Sequence, residues 1–178
     1  MRRKISVIRI IRVIRCFFIF LHPIMMLELL NITIGEVIKD LSLTIPDGQL
    51  LSVVGDKGAG KTTLLRAILG FLSVDKGYIS IDGELLTPLS APYFRRQMAY
   101  VPQRLSLPEG YDKVPTDYVA LLELAVGSGK KLLLVDEPPY PLTDDQQLRV
   151  ERLLTTAQQQ GCTILAINQR INNNIITL

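Results

Sequence analysis

The sequence predicts an α/β protein built around a parallel sheet, with a phosphate-binding loop at the end of one strand. Three observations lead there. Short apolar runs alternate with helical patterns along the 178 residues. One run, Leu132-Leu133-Leu134-Val135, is apolar at every position, as a strand covered on both faces must be. Another, Leu50 to Val54, leads straight into Gly55-Asp56-Lys57-Gly58-Ala59-Gly60-Lys61-Thr62, which fits G-x-x-x-x-G-K-[ST].

Each element follows from its local pattern. Residues 27–34 and 41–45 alternate or nearly alternate apolar and polar, as half-buried strands do. Pro46-Asp47-Gly48 makes a turn between strands. After the glycine loop, Lys61 to Leu69 reads as a buried helix ended by Gly70. Tyr78 to Ile81 and Met98 to Val101 are short strands. Residues 117–126 are apolar nearly all round, which predicts a buried helix, and Gly127-Ser128-Gly129 breaks it. Thr143 with Gln146 three residues on is a capping box. The helix it opens carries Val150, Leu153, Leu154 and Ala157 on one face, and Gly161 closes it. Thr163 to Ile167 is a further buried strand.

Charge divides the chain in two. The formal net charge is +3, but residues 1–25 hold six basic groups (Arg2, Arg3, Lys4, Arg9, Arg12, Arg15) and no acid. The body, 26–178, is left with a net charge of −3 and no broad basic surface, which argues against nucleic-acid binding. In the leader, the apolar run Cys16 to Leu21 stops at His22-Pro23, too short to cross a ~30 Å hydrocarbon core. The expectation is that translation begins at Met25 or Met26. A basic amphipathic segment on an anionic membrane and a targeting signal are the other readings. Cys16 and Cys162 lie far apart and match no ligand or redox spacing, which points to a reducing compartment.

The loop carries the chemistry. Gly55, Gly58 and Gly60 let the backbone curl so that successive N–H groups, through Asp56, Lys57 and Ala59, face a phosphate. Lys61 can reach the β- and γ-phosphates, the Thr62 hydroxyl can ligate Mg²⁺, and the helix start adds its positive dipole end. Asp136, at the end of the run Leu132 to Val135, can hold Mg²⁺ opposite the loop. Its neighbour Glu137 is placed to orient or deprotonate an attacking water. No N-K-x-D motif occurs, so a guanine-reading site has no support.

With these motifs the chain resembles the nucleotide-binding subunit of ABC transporters over residues 26–178. Gly77 to Gly83 looks like the strand pair after the family's Walker A helix, and Arg95 to Gln103 like the segment ending in its Q-loop glutamine. The resemblance implies a P-loop core with an antiparallel β subdomain, and ATP with Mg²⁺ as ligands. It assigns Gln103 to the metal or the attacking water and Thr63 to the α-phosphate. It also implies a separately encoded transmembrane permease, dimerisation with itself or with a second ATP-binding subunit, and a place on the cytoplasmic face of a membrane.

Several departures accompany the match. Only 32 residues separate Gln103 from Asp136, so the helical subdomain is reduced, and no LSGGQ signature occurs. Its slot falls near Tyr111 to Pro115, where Pro115 lacks an N–H to offer a partner's γ-phosphate. The switch histidine aligns with Gln169, which can hydrogen-bond but cannot become a cation. Ile34 stands near the place of the adenine-stacking aromatic, so phosphate contacts would carry most of the affinity. The main expectation is an ATP-binding transporter subunit that hydrolyses ATP with a partner. A non-hydrolytic regulatory or degenerate paralogue and another P-loop phosphotransferase are the alternatives.

Overall fold

The computed structural model describes residues 25–104, 117–168 and 174–178. The leader, the signature slot at 111–115 and Gln169 lie outside the described residues. Among the described residues no helix is long and apolar enough to cross a membrane.

Among the described residues, nine strands form two sheets. β1 (Leu27–Ile34), β2 (Ile38–Ile45), β4 (Lys76–Ile81) and β5 (Glu84–Leu85) make an antiparallel sheet in the order β2-β1-β4-β5. β3 (Leu50–Val54), β6 (Met98–Val101), β7 (Leu132–Val135), β8 (Thr163–Ile167) and β9 (Ile175–Thr177) make a parallel sheet in the order β6-β7-β8-β3-β9. The helices are α1 (Lys61–Ile68), α2 (Ala91–Arg95), α3 (Tyr118–Gly127) and α4 (Asp144–Gln159). The α/β class and the antiparallel subdomain are both present.

Alternation along the parallel strands builds two cores. Leu51, Val53, Leu132, Leu134, Leu165 and Ile167 pack with α1 and the antiparallel sheet. Leu50, Leu133, Val135, Ile164 and Ala166 face the other way, into α3 and α4. A continuous apolar run is therefore two half-runs, each serving its own layer. The capping box that opens α4 forms as expected: the Gln146 N–H donates to Thr143 Oγ1 at 3.3 Å, and the Thr143 N–H donates to Gln146 Oε1 at 3.1 Å.

Some expectations change. β2 starts three residues earlier than its alternation indicates, and α2 and β5 are added. The β4–β5 connection is the two-residue Asp82-Gly83 turn, with both φ angles positive (55° and 79°), the hairpin geometry that suits a twisted ribbon. Gly77 is held by contact: at φ 75°, a Cβ there would lie 2.2 Å from the Leu30 carbonyl oxygen. The apolar helix α3 is not buried all round. Tyr118, Val119 and Leu122 are inside, whereas Leu124 is 55% exposed. The main contacts of α3 are with β6, β7 and α4.

Candidate functional site

The parallel register brings the site together. Val101 pairs with Val135, Val135 with Ala166, and Ser52 with Ala166, so β6, β7, β8 and β3 end at one level. The residues that follow them, Gln103, Asp136-Glu137, Asn168 and Gly55, therefore collect at the carboxyl edge of the sheet, where open α/β folds bind ligands. Backbone bonds extend the ladder past the strands: the Asp136 N–H donates to Val101 O at 2.9 Å, and the Asn168 N–H to Val53 O at 2.8 Å.

The loop curls as its glycines allow, with Gly58 at φ 92° and Gly60 at φ 91°. Gly60 sits immediately before α1, and a Cβ on it would come within 2.7 Å of a Val37 methyl. Lys61 is buried, 7% exposed, a position a lysine holds only when its ammonium is satisfied. Its Nζ donates to the carbonyls of Gly55 (2.8 Å) and Asp56 (2.7 Å) and lies 4.0 Å from Glu137 Oε2. Thr62, the next residue on α1, donates its hydroxyl to Asp136 Oδ2 at 3.1 Å.

Asp136 is almost wholly enclosed, at 2% exposure. Burial pushes its carboxyl above the ordinary range, and the negative charge of Glu137 adds to this. The Glu137 N–H (3.0 Å), the Thr62 hydroxyl and the Tyr100 hydroxyl (3.4 Å) oppose the shift by donating to the carboxylate. The Tyr100 phenol is itself pushed up to about 12, by burial first and then by Asp136. Tyr118, buried at the start of α3, donates its hydroxyl to the Asp136 carbonyl. The peptide between the two acids is thus held at both ends. Each oxygen of the Glu137 carboxylate also accepts an amide, Gln103 Nε2 on Oε1 at 3.2 Å and Asn168 Nδ2 on Oε2.

The oxygens of Thr62 and Asp136 fit a magnesium ion: both are hard donors, they converge, and the buried carboxylate has no lysine or arginine within ion-pair distance among the described residues. Gln103 points instead to Glu137. Ile34, in the approximate place of the family's adenine-stacking aromatic, is buried in the core, because alternation along β1 turns it inward with Ile32. Val37, half exposed, and Ile38, buried, are the apolar side chains against Gly60 of the loop. Sequence reasoning brought Lys61, Thr62, Asp136, Glu137 and Gln103 to this edge and missed Tyr100, Tyr118 and Asn168. The one signal for Asn168 was its place directly after a buried strand.

A strand, a glycine loop with an enclosed lysine, and an acid across the sheet on the helix threonine define a P-loop nucleotide-binding protein. The family model for the ABC transporter matches residues 38–174, and the chain belongs to that family. The manganese transport system ATP-binding protein MntB of Bacillus subtilis is 37% identical over 98 residues, 53% of this chain and 37% of that protein. The Fe(3+) ions import ATP-binding protein FbpC of Pseudomonas fluorescens is 44% identical over 68 residues, 37% of this chain and 19% of that protein. The chain thus matches under two-fifths of the length of these curated relatives. In fold it is similar to a solved ATP binding subunit of an ABC transporter, with TM-score 0.69 at 19% identity, covering 86% of this chain and 85% of that one.

Proposed function

We propose that the chain is the ATP-binding subunit of an ABC transporter, taking Mg-ATP on the loop Gly55–Thr62 and hydrolysing it when a partner completes the site. The observation that carries this reading is the meeting of Lys61, Thr62, Asp136 and Glu137 at one sheet edge. Loop N–H groups and Lys61 receive the β- and γ-phosphates, and Thr63 the α-phosphate. Lys61 exchanges its loop carbonyls for phosphate oxygens as ATP enters. Mg²⁺, which Thr62 and Asp136 would hold, would neutralise charge on the phosphate oxygens. Glu137 orients a water in line with the γ-phosphate and accepts its proton. Gln103 steadies Glu137, and Gln169 hydrogen-bonds the γ-phosphate.

The partners in this reading are a separately encoded transmembrane permease and a second ATP-binding subunit, identical or not, at the cytoplasmic face of a membrane. A second subunit that carries a signature would supply the N–H groups that the slot at Tyr111 to Pro115 lacks.

Steady-state Mg-ATP hydrolysis by the full chain over a wide concentration range tests the reading, with Glu137→Gln as background. A low specific rate is expected; a rate that rises with concentration would show that self-association builds a working site despite the missing signature. A rate equal to that of Glu137→Gln at every concentration would mean dependence on a different partner subunit, or a subunit that binds without turning over. Calorimetry on Lys61→Ala checks the binding half: affinity for Mg-ATP should be lost, and parental affinity would place the nucleotide elsewhere.

A further inference from the structure

Glu137 follows β7, which lies between β6 and β8 in the parallel sheet. Its carboxylate is held from both sides: Gln103, two residues past β6, on Oε1, and Asn168, directly past β8, on Oε2. Asn168 is anchored to do this. Its backbone N–H is bonded to Val53 on the strand that leads into the phosphate loop. Its φ is 54°, a left-handed conformation that asparagine adopts more readily than most residues. It lines a cavity of about 400 Å³ together with Gln103 and Glu137, and a second of about 510 Å³ with Val54, Gly55, Asp56 and Thr177. Among the described residues, Asn168 is thus the one side chain that lines both the Glu137 pocket and the loop pocket.

We propose that Asn168 is a positioning residue for hydrolysis: its amide, opposite that of Gln103, fixes the direction of the Glu137 carboxylate. The inference rests on the reading of Glu137 as the group that orients water. A neutral amide suits this task. It donates one N–H to the carboxylate without cancelling its negative charge and without offering a proton that would convert the base to its acid. With amides on both sides, the carboxylate keeps its orientation through no cation that titrates near neutrality.

Two substitutions separate the amide from the backbone. Asn168→Gly keeps the left-handed conformation and removes the donor. Asn168→Asp keeps the shape and turns the donor into a second carboxylate facing Glu137. Measured on the full chain, kcat should fall roughly tenfold or more in both, while KM for Mg-ATP moves less than about threefold. A merely structural role would change KM and the unfolding midpoint along with kcat. An unchanged kcat in both variants overturns the proposal.

A second readout needs no turnover. In chain labelled with ¹⁵N-asparagine, the Asn168 side-chain amide signal, identified by its loss in Asn168→Asp, should shift in Glu137→Ala. A signal indifferent to that change overturns the contact. If the parent hydrolyses no faster than Glu137→Gln, hydrolysis by self-association falls, and a positioning role in that turnover falls with it. The amide shift then still tells whether Asn168 holds Glu137, so the two failures are distinguishable.

Discussion

Thr62 donates its hydroxyl to the Asp136 carboxylate across 3.1 Å, although the two are 74 positions apart in sequence. The contact spans a strand: β7 carries Asp136, β3 feeds the loop, and β8 lies between. Two strand spacings are about 9.6 Å. That gap is closed because Thr62 sits on the first turn of α1, after the loop has turned the chain back over the sheet. The same geometry encloses Asp136 with three donors and, among the described residues, no cation within ion-pair distance.

Asp136→Asn should therefore stabilise the nucleotide-free chain. Burial disfavours the charged carboxyl, and asparagine removes that cost. Its carbonyl can still accept from the Glu137 N–H, while the Thr62 and Tyr100 hydroxyls can rotate to accept its amide. A gain of about 1 kcal/mol would raise the thermal midpoint by roughly 2–4 °C for a chain of this size. The same variant should lose the magnesium dependence of ATP binding. A lowered midpoint would show that the carboxylate's hydrogen bonds outweigh its burial.

What the sequence revealed and what it hid have separate physical causes. Leu132 to Val135 was legible as a central strand because both its faces are covered, and Gly55 to Thr62 because backbone curvature demands glycine at fixed places. β5 was hidden by its two-residue length. α2 was hidden because Ser90 spends its hydroxyl on Thr87 and on the Leu85 carbonyl rather than on a helix N–H, although Pro92 in the first turn was a usable signal. Composition misjudged α3, since an apolar helix shows how much surface it could bury and not what is there to cover it. Tyr100, Tyr118 and Asn168 reach the acids through parallel register and helix docking. Spacing along one chain does not encode such contacts.

Ser52 offers a second stability test. It lies in the middle of β3, fully buried, and its hydroxyl has no hydrogen-bond partner among the described residues. A hydroxyl so placed costs its hydration with no return bond. Ser52→Ala removes that cost and leaves a void of only one oxygen. The expected result is a gain on the order of 1 kcal/mol, read as a rise of about 2–4 °C in the thermal midpoint. A fall of similar size would mean that the hydroxyl is bonded in solution.

Cys162, one residue before β8, gives a chemical readout of the same sheet. Its thiol is buried, donates to the Lys130 carbonyl at 3.3 Å, and is pushed up to about 11, with burial as the main cause. The folded value lies above the ordinary 9.0, so folding favours the neutral thiol. This contribution is complete below about pH 9 and is lost as the pH rises through 11. Because the thiolate is the nucleophile, its fraction at pH 8 should be about 100-fold lower folded than unfolded, before burial blocks access further. Iodoacetamide labelling followed by peptide mass spectrometry separates this site from Cys16, and Cys162 should react only as fast as the sheet opens. Native labelling as fast as in denaturant would show that β8 is not held as the structure has it. Since β8 also carries Asn168 at its far end, Mg-ATP at 100 times its Kd should suppress opening by about 2.7 kcal/mol, roughly 100-fold, if the open form does not bind the nucleotide. Slowing by nucleotide in the parent and not in Lys61→Ala would tie the protection to the phosphate loop itself.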